Sequence, residues 1–322
     1  MKLLVTGGLG FIGSNFIRSW FRKHEKDIII NIDKVTYAAD FHNLKGIEGK
    51  YDYAFVKGDI AGKETVLKAA KDVDAIINFA AETHVDNSIK NADEFVKSNV
   101  FGVYNLLEAA RRYDIRFHQV STDEVYGTLP LNSRTKFTEN SKYAPRNPYS
   151  ATKAAADHLV NAYFNTYKLP VTISNCSNNY GLYQHPEKLI PKTILNALSN
   201  KSIPVYGDGK QVRDWIYAED HCSALEQIIK KGEHGETYLV SANNEMHNID
   251  VIKSILTKLG KDESLINFVK DRPGHDVRYA IDARKISREL GWKPKINFDY
   301  GLKLTINHYI KNLEYYNKKA VT

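Results

Sequence analysis

The chain has 322 residues, of which 43% are hydrophobic and 26% are charged, a composition typical of globular proteins with a substantial core. No apolar run approaches the length that spans a bilayer, and the formal net charge of +7 is spread along the chain without a basic block. We therefore expect neither a membrane-spanning protein nor a nucleic-acid binder.

The N-terminus and the cysteines add two expectations. Met1 and Lys2 lead straight into an apolar strand, which leaves no room for a signal peptide and predicts a cytoplasmic protein. Cys176 and Cys222 lack a CxxC partner and a histidine at metal-ligand spacing. We expect two reduced packing thiols and no metal site.

Short apolar segments alternate with amphipathic ones, the pattern of parallel strands covered by helices on both faces. After about Tyr180, prolines and glycines separate shorter elements, which indicates a smaller domain interleaved with the end of the sheet. We predict one domain at 1–177, completed by about 214–241, and a second, discontinuous domain at 178–322. The predicted strands and clearest helices are Lys2–Thr6, Ile28–Ile32, Tyr53–Lys57, Ala75–Phe79, Phe117–Ser121, Val171–Cys176 and Thr237–Val240, with helices at Asp93–Tyr113 and Pro148–Tyr167.

A glycine-rich turn, TGGLGFIG, follows the first strand and opens a helix. Glycines let the backbone turn tightly and approach a pyrophosphate, whose charge is met by amides at the helix N-terminus. This predicts an α/β fold with a doubly wound parallel sheet of the Rossmann type, a dinucleotide at the turn, and a smaller interleaved α/β domain for the substrate. The predicted cofactor contacts in the turn are Gly7, Gly10, Phe11, Ile12 and Gly13.

Asp33 ends the second strand about 20 residues after the last glycine, where a carboxylate would bond the adenosine ribose hydroxyls. Because a carboxylate there repels a 2′-phosphate, NAD is favoured over NADP, although Lys34 softens that preference. Asp59 follows the third strand and is placed either to reach the adenine or to cap a helix. The remaining predicted cofactor contacts are Thr36, Ile60, Ala80, Ala81, Tyr149 and Lys153.

Two adjacent carboxylates, Asp123 and Glu124, stand at the carboxyl end of a predicted strand. Like charges this close are costly unless one group stays protonated. A dehydration needs such a pair, because a base must take a carbon-bound proton while an acid releases water. Thr122 is placed to hydrogen-bond the reacting hydroxyl. The alternative interpretation is two solvated loop acids.

Tyr149 and Lys153 are four residues apart, so in a helix they share one face. An ammonium near a phenol favours the phenolate and brings its pKa from about 10 towards the working pH, as a base for a sugar hydroxyl. The YxxxK spacing also arises by chance in helices, and the motif gains weight only beside the acid pair.

Together these motifs resemble the extended short-chain dehydrogenase/reductase family. Within it the chain is similar to the dTDP-glucose 4,6-dehydratases over nearly its whole length, through the segments DKVTY, AAETHVD, NCSNNYG, PEKLIP, VRDW and DRPGHD. The resemblance implies that Tyr149, aided by Lys153 and Thr122, takes the C4 hydroxyl proton. It also implies that Glu124 removes the C5 proton while Asp123 protonates the departing C6 oxygen.

The resemblance further implies a nucleotide-sugar substrate, dTDP-glucose, whose diphosphate calls for a guanidinium and amide donors. Arg213 is the first choice for the diphosphate. His84 is placed either near the nicotinamide or in a purely structural role. The other predicted substrate contacts are Asn178, Asn179, Glu187, Lys188, Asn244, Arg272 and His275.

Three other functions stay open. A UDP-glucose 4,6-dehydratase would carry the same motifs, whereas nucleotide-sugar 4-epimerases usually lack the Asp of the Asp123–Glu124 pair. A non-catalytic NAD-binding sensor tends to lose Tyr149 or Lys153, and both are present. The loop between Gly127 and Tyr143 is shorter than in many family members, so closure of the pocket is expected to differ.

The helices predicted at 93–113 and 148–167 carry more apolar surface than their sheet-facing sides require, and the resembled family commonly dimerises through them. We therefore expect a homodimer through these two helices; the alternative is that the surface is internal core. The residues expected at this interface are Val100, Val103, Tyr104, Leu107, Leu159, Val160 and Tyr163.

Overall fold

The computed structural model describes residues 1–271 and 274–319, so the prediction for Arg272 lies outside the described residues. The strands are β1 (Lys2–Thr6), β2 (Ile28–Asp33), β3 (Asp52–Lys57), β4 (Ala75–Asn78), β5 (Arg116–Thr122), β6 (Val171–Cys176), β7 (Asn178–Tyr180), β8 (Ile203–Tyr206), β9 (Val212–Tyr217), β10 (Thr237–Val240), β11 (Glu245–His247) and β12 (Ile266–Val269). All seven predicted strands are confirmed, with ends that differ by at most one residue.

Seven of these strands form one parallel sheet in the order β3-β2-β1-β4-β5-β6-β10. The order reverses between β1 and β4, which is the arrangement of a doubly wound Rossmann-type sheet and confirms the predicted fold class. Ligands of such sheets bind where the order reverses, at the carboxyl ends of the strands.

The helices are α1 (Phe11–Lys23), α2 (Lys63–Ala69), α3 (Val85–Lys90), α4 (Asp93–Phe95), α5 (Val103–Tyr113), α6 (Pro148–Tyr167), α7 (Leu189–Leu198), α8 (Ala218–Lys231), α9 (Asn248–Leu259), α10 (Arg284–Leu290), α11 (Phe298–Lys311) and α12 (Leu313–Lys319). The predicted helix at 148–167 is confirmed. The one predicted at 93–113 is divided, because a π-helical segment at Val96–Gly102 joins α4 to α5.

The large sheet is buried on both faces, which explains why its strands read as continuous apolar runs. Leu4, Ile76 and Phe117 pack under α5 and α6 in one cluster. Leu3 and Ile77 pack under α1 and α8 in another. The sheet edge that carries the predicted catalytic motifs is therefore held by helices on both faces.

After β6 the chain forms two smaller sheets. Of the later strands, only β10 belongs to the large sheet. Strand β9 lies between β7 and β11, and β8 pairs with β12. Helices α7, α9 and α11 cover these strands with an aromatic-rich cluster around Tyr180 and Trp215. Because β10 returns to the large sheet, the two parts of the fold are interleaved in sequence. We propose that the first domain ends at residue 177 and that the second begins at residue 178.

Several residues predicted for an intermolecular interface are internal instead. Val103, Leu107 and Val160 are fully buried within the chain, because they face the sheet and one another across α5 and α6. Tyr163 is buried beside them. The apolar side chains that this region exposes are Val96, Phe101, Tyr104 and Tyr167, of which only Tyr104 was predicted. No helix in the described ranges combines the length and apolarity required to traverse a bilayer.

Candidate active site

A cavity of about 320 Å³ opens at the carboxyl ends of the large sheet. It lies where the strand order reverses, as such sheets dictate. All the predicted catalytic residues and all the predicted cofactor contacts line it: Gly7, Gly10, Phe11, Ile12, Gly13, Asp33, Lys34, Thr36, Asp59, Ile60, Ala80, Ala81, Thr122, Asp123, Glu124, Tyr149 and Lys153.

The glycine turn fits the pyrophosphate of a dinucleotide. Gly7 has a φ of +69°, and a Cβ there would lie 2.7 Å from the amide nitrogen of Ala80. A Cβ on Gly13 would lie 2.4 Å from the carbonyl oxygen of Gly7. Helix α1 begins without a capping side chain at Gly10, so the amides of its first turn are donors for an anion at the cavity wall.

The Asp33 carboxylate is held in place by two backbone amides at the end of β2. Leu9 and Val35 donate to it at 3.0 and 2.8 Å. Burial raises the pKa of Asp33, and these two amides oppose that rise. Lys34 is turned to Glu94 at 2.6 Å and to Asp59 at 3.2 Å. Its charge is therefore already matched by two carboxylates, which strengthens the preference for NAD over NADP.

Asp33→Asn is expected to lower NAD affinity about tenfold or more, because a hydrogen bond to a charged group contributes about 1.5–3 kcal/mol. NADP affinity should fall less or rise, since the charge that repels a 2′-phosphate is gone. Isothermal titration with both cofactors measures the two affinities. Equal losses for NAD and NADP would contradict this role for Asp33.

Asp59 does not cap α2, whose N-cap residue Gly62 provides no side-chain cap, and its contact with the adenine stays a prediction. Its Oδ1 accepts from the amide of Ala61 at 2.9 Å, ahead of α2, while the residue also lines the cavity.

Cys176 and Cys222 are free and buried, as predicted. Within residues 1–271 and 274–319, no group of three His, Cys, Asp or Glu side chains is arranged to hold a metal ion.

The two adjacent acids have different surroundings. Strand β5 ends at Thr122, whose Oγ1 accepts from the amide of Glu124 at 3.3 Å and starts a short 3₁₀ turn. Asp123 is 2% exposed. Burial, followed by the nearby charge of Glu124, raises the pKa of Asp123 well above its usual range. Glu124 is half-buried and accepts a 3.5 Å contact from the Tyr279 hydroxyl. The site thus favours a protonated Asp123 beside the more exposed carboxyl group of Glu124.

Tyr149 and Lys153 sit in the first two turns of α6, which begins with a capping box between Asn147 and Ser150. The expected lowering of the Tyr149 pKa by Lys153 is not what the structure shows. Burial raises the pKa of Tyr149 well above 10, and only a hydrogen bond to Thr122 opposes it. Lys153 Nζ donates to the carbonyl of Val120 at 2.8 Å instead of to the phenol.

Part of the predicted substrate set lies on the opposite wall of the cavity. Asn178, Asn179, Glu187 and Lys188 all line it. His84 is beside this wall, with Nε2 at 3.6 Å from Glu187 Oε2. Its Nδ1 also accepts from the amide of Asn87 at the start of α3, at 3.3 Å. The structural role considered for this histidine is therefore present.

Arg213, Asn244 and His275 do not line the cavity. Arg213 is buried over the Tyr279 ring at 4.4 Å, and its guanidinium donates to the carbonyls of Val212 and Asp276. The backbone N–H of Asn244 donates to the Asp214 carboxylate, and the His275 ring contacts Asp271 at 2.6 Å. The arginine predicted for the diphosphate thus lies behind the acid pair, where its charge opposes the rise in the Asp123 pKa.

Other residues at the site were not predicted. Tyr279 contacts Glu124 although 155 residues separate them, and Tyr279 also forms a short hydrogen bond with Asp276. The sequence signal was adjacency to the DRPGHD segment, which did not single out the tyrosine. Further cavity residues without a sequence signal are Ala38, Ala39, Ser98 and Gln184.

Comparison with known proteins agrees with this geometry. A family model described as GDP-mannose 4,6 dehydratase matches residues 4–305. The dTDP-glucose 4,6-dehydratase of Neisseria meningitidis serogroup B is 48% identical over 97% of this chain and 94% of the relative. That of Xanthomonas campestris pv. campestris is 49% identical over 96% and 93%.

Solved structures give the same result. The dTDP-glucose 4,6-dehydratase DesIV from Streptomyces venezuelae, with NAD and TYD bound, matches with a TM-score of 0.96 and 41% identity over 99% of this chain and 100% of that one. UDP-glucose 4-epimerase from Thermus thermophilus, in complex with NAD, matches with a TM-score of 0.88 and 26% identity over 96% and 99%. The chain therefore belongs to the GDP-mannose 4,6 dehydratase family and, within it, to the dTDP-glucose 4,6-dehydratases.

Proposed function

We propose that the protein is an NAD-dependent dTDP-glucose 4,6-dehydratase, which converts dTDP-glucose to dTDP-4-keto-6-deoxyglucose and water. The observation that carries this proposal is the unequal acid pair, with Asp123 buried and Glu124 half-buried in the cavity that also holds Tyr149 and Lys153. The relatives and solved structures with the same activity support it.

The first step is oxidation at C4. Tyr149 accepts the proton of the C4 hydroxyl, which Thr122 orients through its side-chain oxygen at the end of β5. The buried Lys153, four residues after Tyr149 on α6, supplies a positive charge near this site. When bound, NAD supplies the hydride acceptor for C4 and the hydride donor for C6. Asp33 and the glycine turn hold its adenosine and pyrophosphate parts.

Elimination follows because the 4-ketone acidifies the neighbouring C5 proton. Glu124 takes that proton, since its half-buried carboxylate is the more accessible member of the pair. Asp123 donates its proton to the C6 oxygen, which leaves as water. Glu124 then returns a proton to C5. A protonated carboxylic acid at neutral pH requires burial like that of Asp123.

The test is direct. Purified protein is incubated with NAD and either dTDP-glucose or UDP-glucose, and the alkali-labile 4-keto product is followed by absorbance and mass spectrometry. Product from dTDP-glucose is expected. Product from UDP-glucose alone would instead favour the UDP-glucose enzyme. Absence of product from both would contradict a dehydratase, and interconversion of C4 epimers without loss of water would favour an epimerase.

We also propose a cytoplasmic homodimer that pairs the α4–α5 and α6 surfaces of two copies. The exposed apolar residues of this surface, Phe101 at 52% and Val96 at 51%, support it.

Phe101→Glu is expected to give monomers in analytical ultracentrifugation, because a charge would be buried without a partner. Phe268→Glu, a change at a similarly exposed phenylalanine on β12, is the matched control and should leave the mass unchanged. Equal masses for Phe101→Glu and the control would contradict this interface.

A further inference from the structure

A buried carboxylate stands behind the catalytic residues and has no part in the steps above. Asp157 lies on α6, one turn after Lys153, and is 0% exposed. Its Oδ2 accepts from Ser121 Oγ at 2.7 Å, from the Tyr143 hydroxyl at 3.1 Å and from Asn175 Nδ2 at 3.2 Å. Burial raises the pKa of Asp157, and the charge of Lys153 and these three donors oppose that rise. Three donors on one oxygen are an arrangement built for an anion.

Asp157 and the buried Lys153 are four residues apart on α6, so their side chains share one face of the helix. Burial lowers the pKa of Lys153, and Asp157 is the largest opposing influence. The Cys176 thiol faces the same ammonium, but burial raises its pKa to about 12, so it is neutral at the working pH. The phenols of Tyr126 and Tyr143 near Asp157 are also neutral, because burial raises their pKa.

The same carboxylate is tied to the strand end that carries the reacting groups. Ser121 immediately precedes Thr122 on β5. Asn175 on β6 donates from one Nδ2 both to Asp157 and to the carbonyl of Thr122, each at 3.2 Å. A change in the charge of Asp157 therefore reaches both sides of the site, through the lysine on α6 and through the backbone of β5.

We propose that Asp157 is a positioning residue, whose charge keeps Lys153 protonated inside the core and so sets the pH range in which Tyr149 accepts the sugar proton. An ammonium alone in the interior loses its proton readily. A neutral lysine no longer stabilises the phenolate, so Tyr149 becomes a base only at higher pH. This inference rests on the proposed dehydratase activity.

The test compares pH profiles of kcat and KM for dTDP-glucose in wild type and Asp157→Asn, which keeps the shape of the side chain. The acidic limb of the kcat profile should move to higher pH by about one unit or more, the range expected for loss of one neighbouring charge. KM should stay within about twofold, because Asp157 does not line the cavity.

Asp220→Asn is the matched control. Asp220 is a buried aspartate that accepts backbone hydrogen bonds from Lys295 and Ile296 and does not line the cavity. Its loss should lower Tm without moving the profile.

An Asp157→Asn enzyme with lower kcat or Tm but an unmoved pH profile would overturn the proposal, since that is the outcome for a merely structural residue. Should Asp157→Asn not fold, Tyr143→Phe removes one donor and leaves the carboxylate. Its profile should move in the same direction by a smaller amount, and no movement would again overturn the proposal. Failure of wild type to act on dTDP-glucose counts against the proposed function, whereas an active wild type with an unmoved variant counts only against Asp157.

Discussion

Glu124→Gln should oxidise the sugar at C4 and then stop before water is lost. Tyr149, Lys153 and Thr122 are untouched by the change, so the hydroxyl still loses its proton. An amide cannot accept the C5 proton, and general-base catalysis of such a step contributes about 10²–10⁴ in rate. We expect product formation to fall by about that factor. Rapid mixing with dTDP-glucose should show the near-ultraviolet absorbance of reduced nicotinamide appearing and persisting.

Glu139→Gln is the matched control for this variant. Glu139 is another half-buried glutamate, but it accepts from the amide of Leu239 and lies outside the cavity. It should retain wild-type turnover. Formation of the 4-keto-6-deoxy product by Glu124→Gln at the wild-type rate would show that another group is the base.

Much of this site was predictable because its motifs are local and follow strands. The glycine turn, Asp33 and the Asp123–Glu124 pair are each set by the residues next to them, and parallel strands bring their carboxyl ends to one edge. The cofactor and catalytic residues that the sequence predicts therefore all line one cavity, although the prediction used no long-range contacts.

The failures involve contacts between distant segments. The sequence predicts Arg213 at the diphosphate, but it does not show that the guanidinium donates to the carbonyls of Val212 and Asp276. The spacing of Tyr149 and Lys153 predicts their shared helix face, yet the pKa of a phenol depends on burial by the whole fold. Helical periodicity likewise identifies Val103 and Leu107 as apolar positions. It does not show that both side chains pack in the internal core of the chain. Tyr279 reaches Glu124 from a segment that only tertiary folding brings close.

Asp123→Asn should slow elimination strongly and at the same time stabilise the protein. The amide cannot give the C6 oxygen a proton, so turnover should fall by about 10²–10⁴. The stability gain arises because the folded state raises the pKa of Asp123 well above its unfolded value. Asparagine keeps the shape and forfeits little bonding, since Oδ2 has no hydrogen-bond partner among the described residues and Oδ1 has one contact at 3.5 Å.

The sign of the effect depends on pH. Below the unfolded pKa of about 3.9, Asp123 is protonated in both states and imposes no penalty. As the pH rises above that value, the unfolded chain ionises while the folded site retains its proton, so stability is lost until the folded pKa is reached. Asparagine does not titrate and escapes this loss. Tm of Asp123→Asn should exceed that of wild type by about 1–2 °C at about pH 8, which corresponds to about 1 kcal/mol for a chain of 322 residues, and the difference should vanish near pH 4. An unchanged or lower Tm at pH 8 would mean that Asp123 is ionised in the folded protein, which removes its candidacy as the acid that releases water.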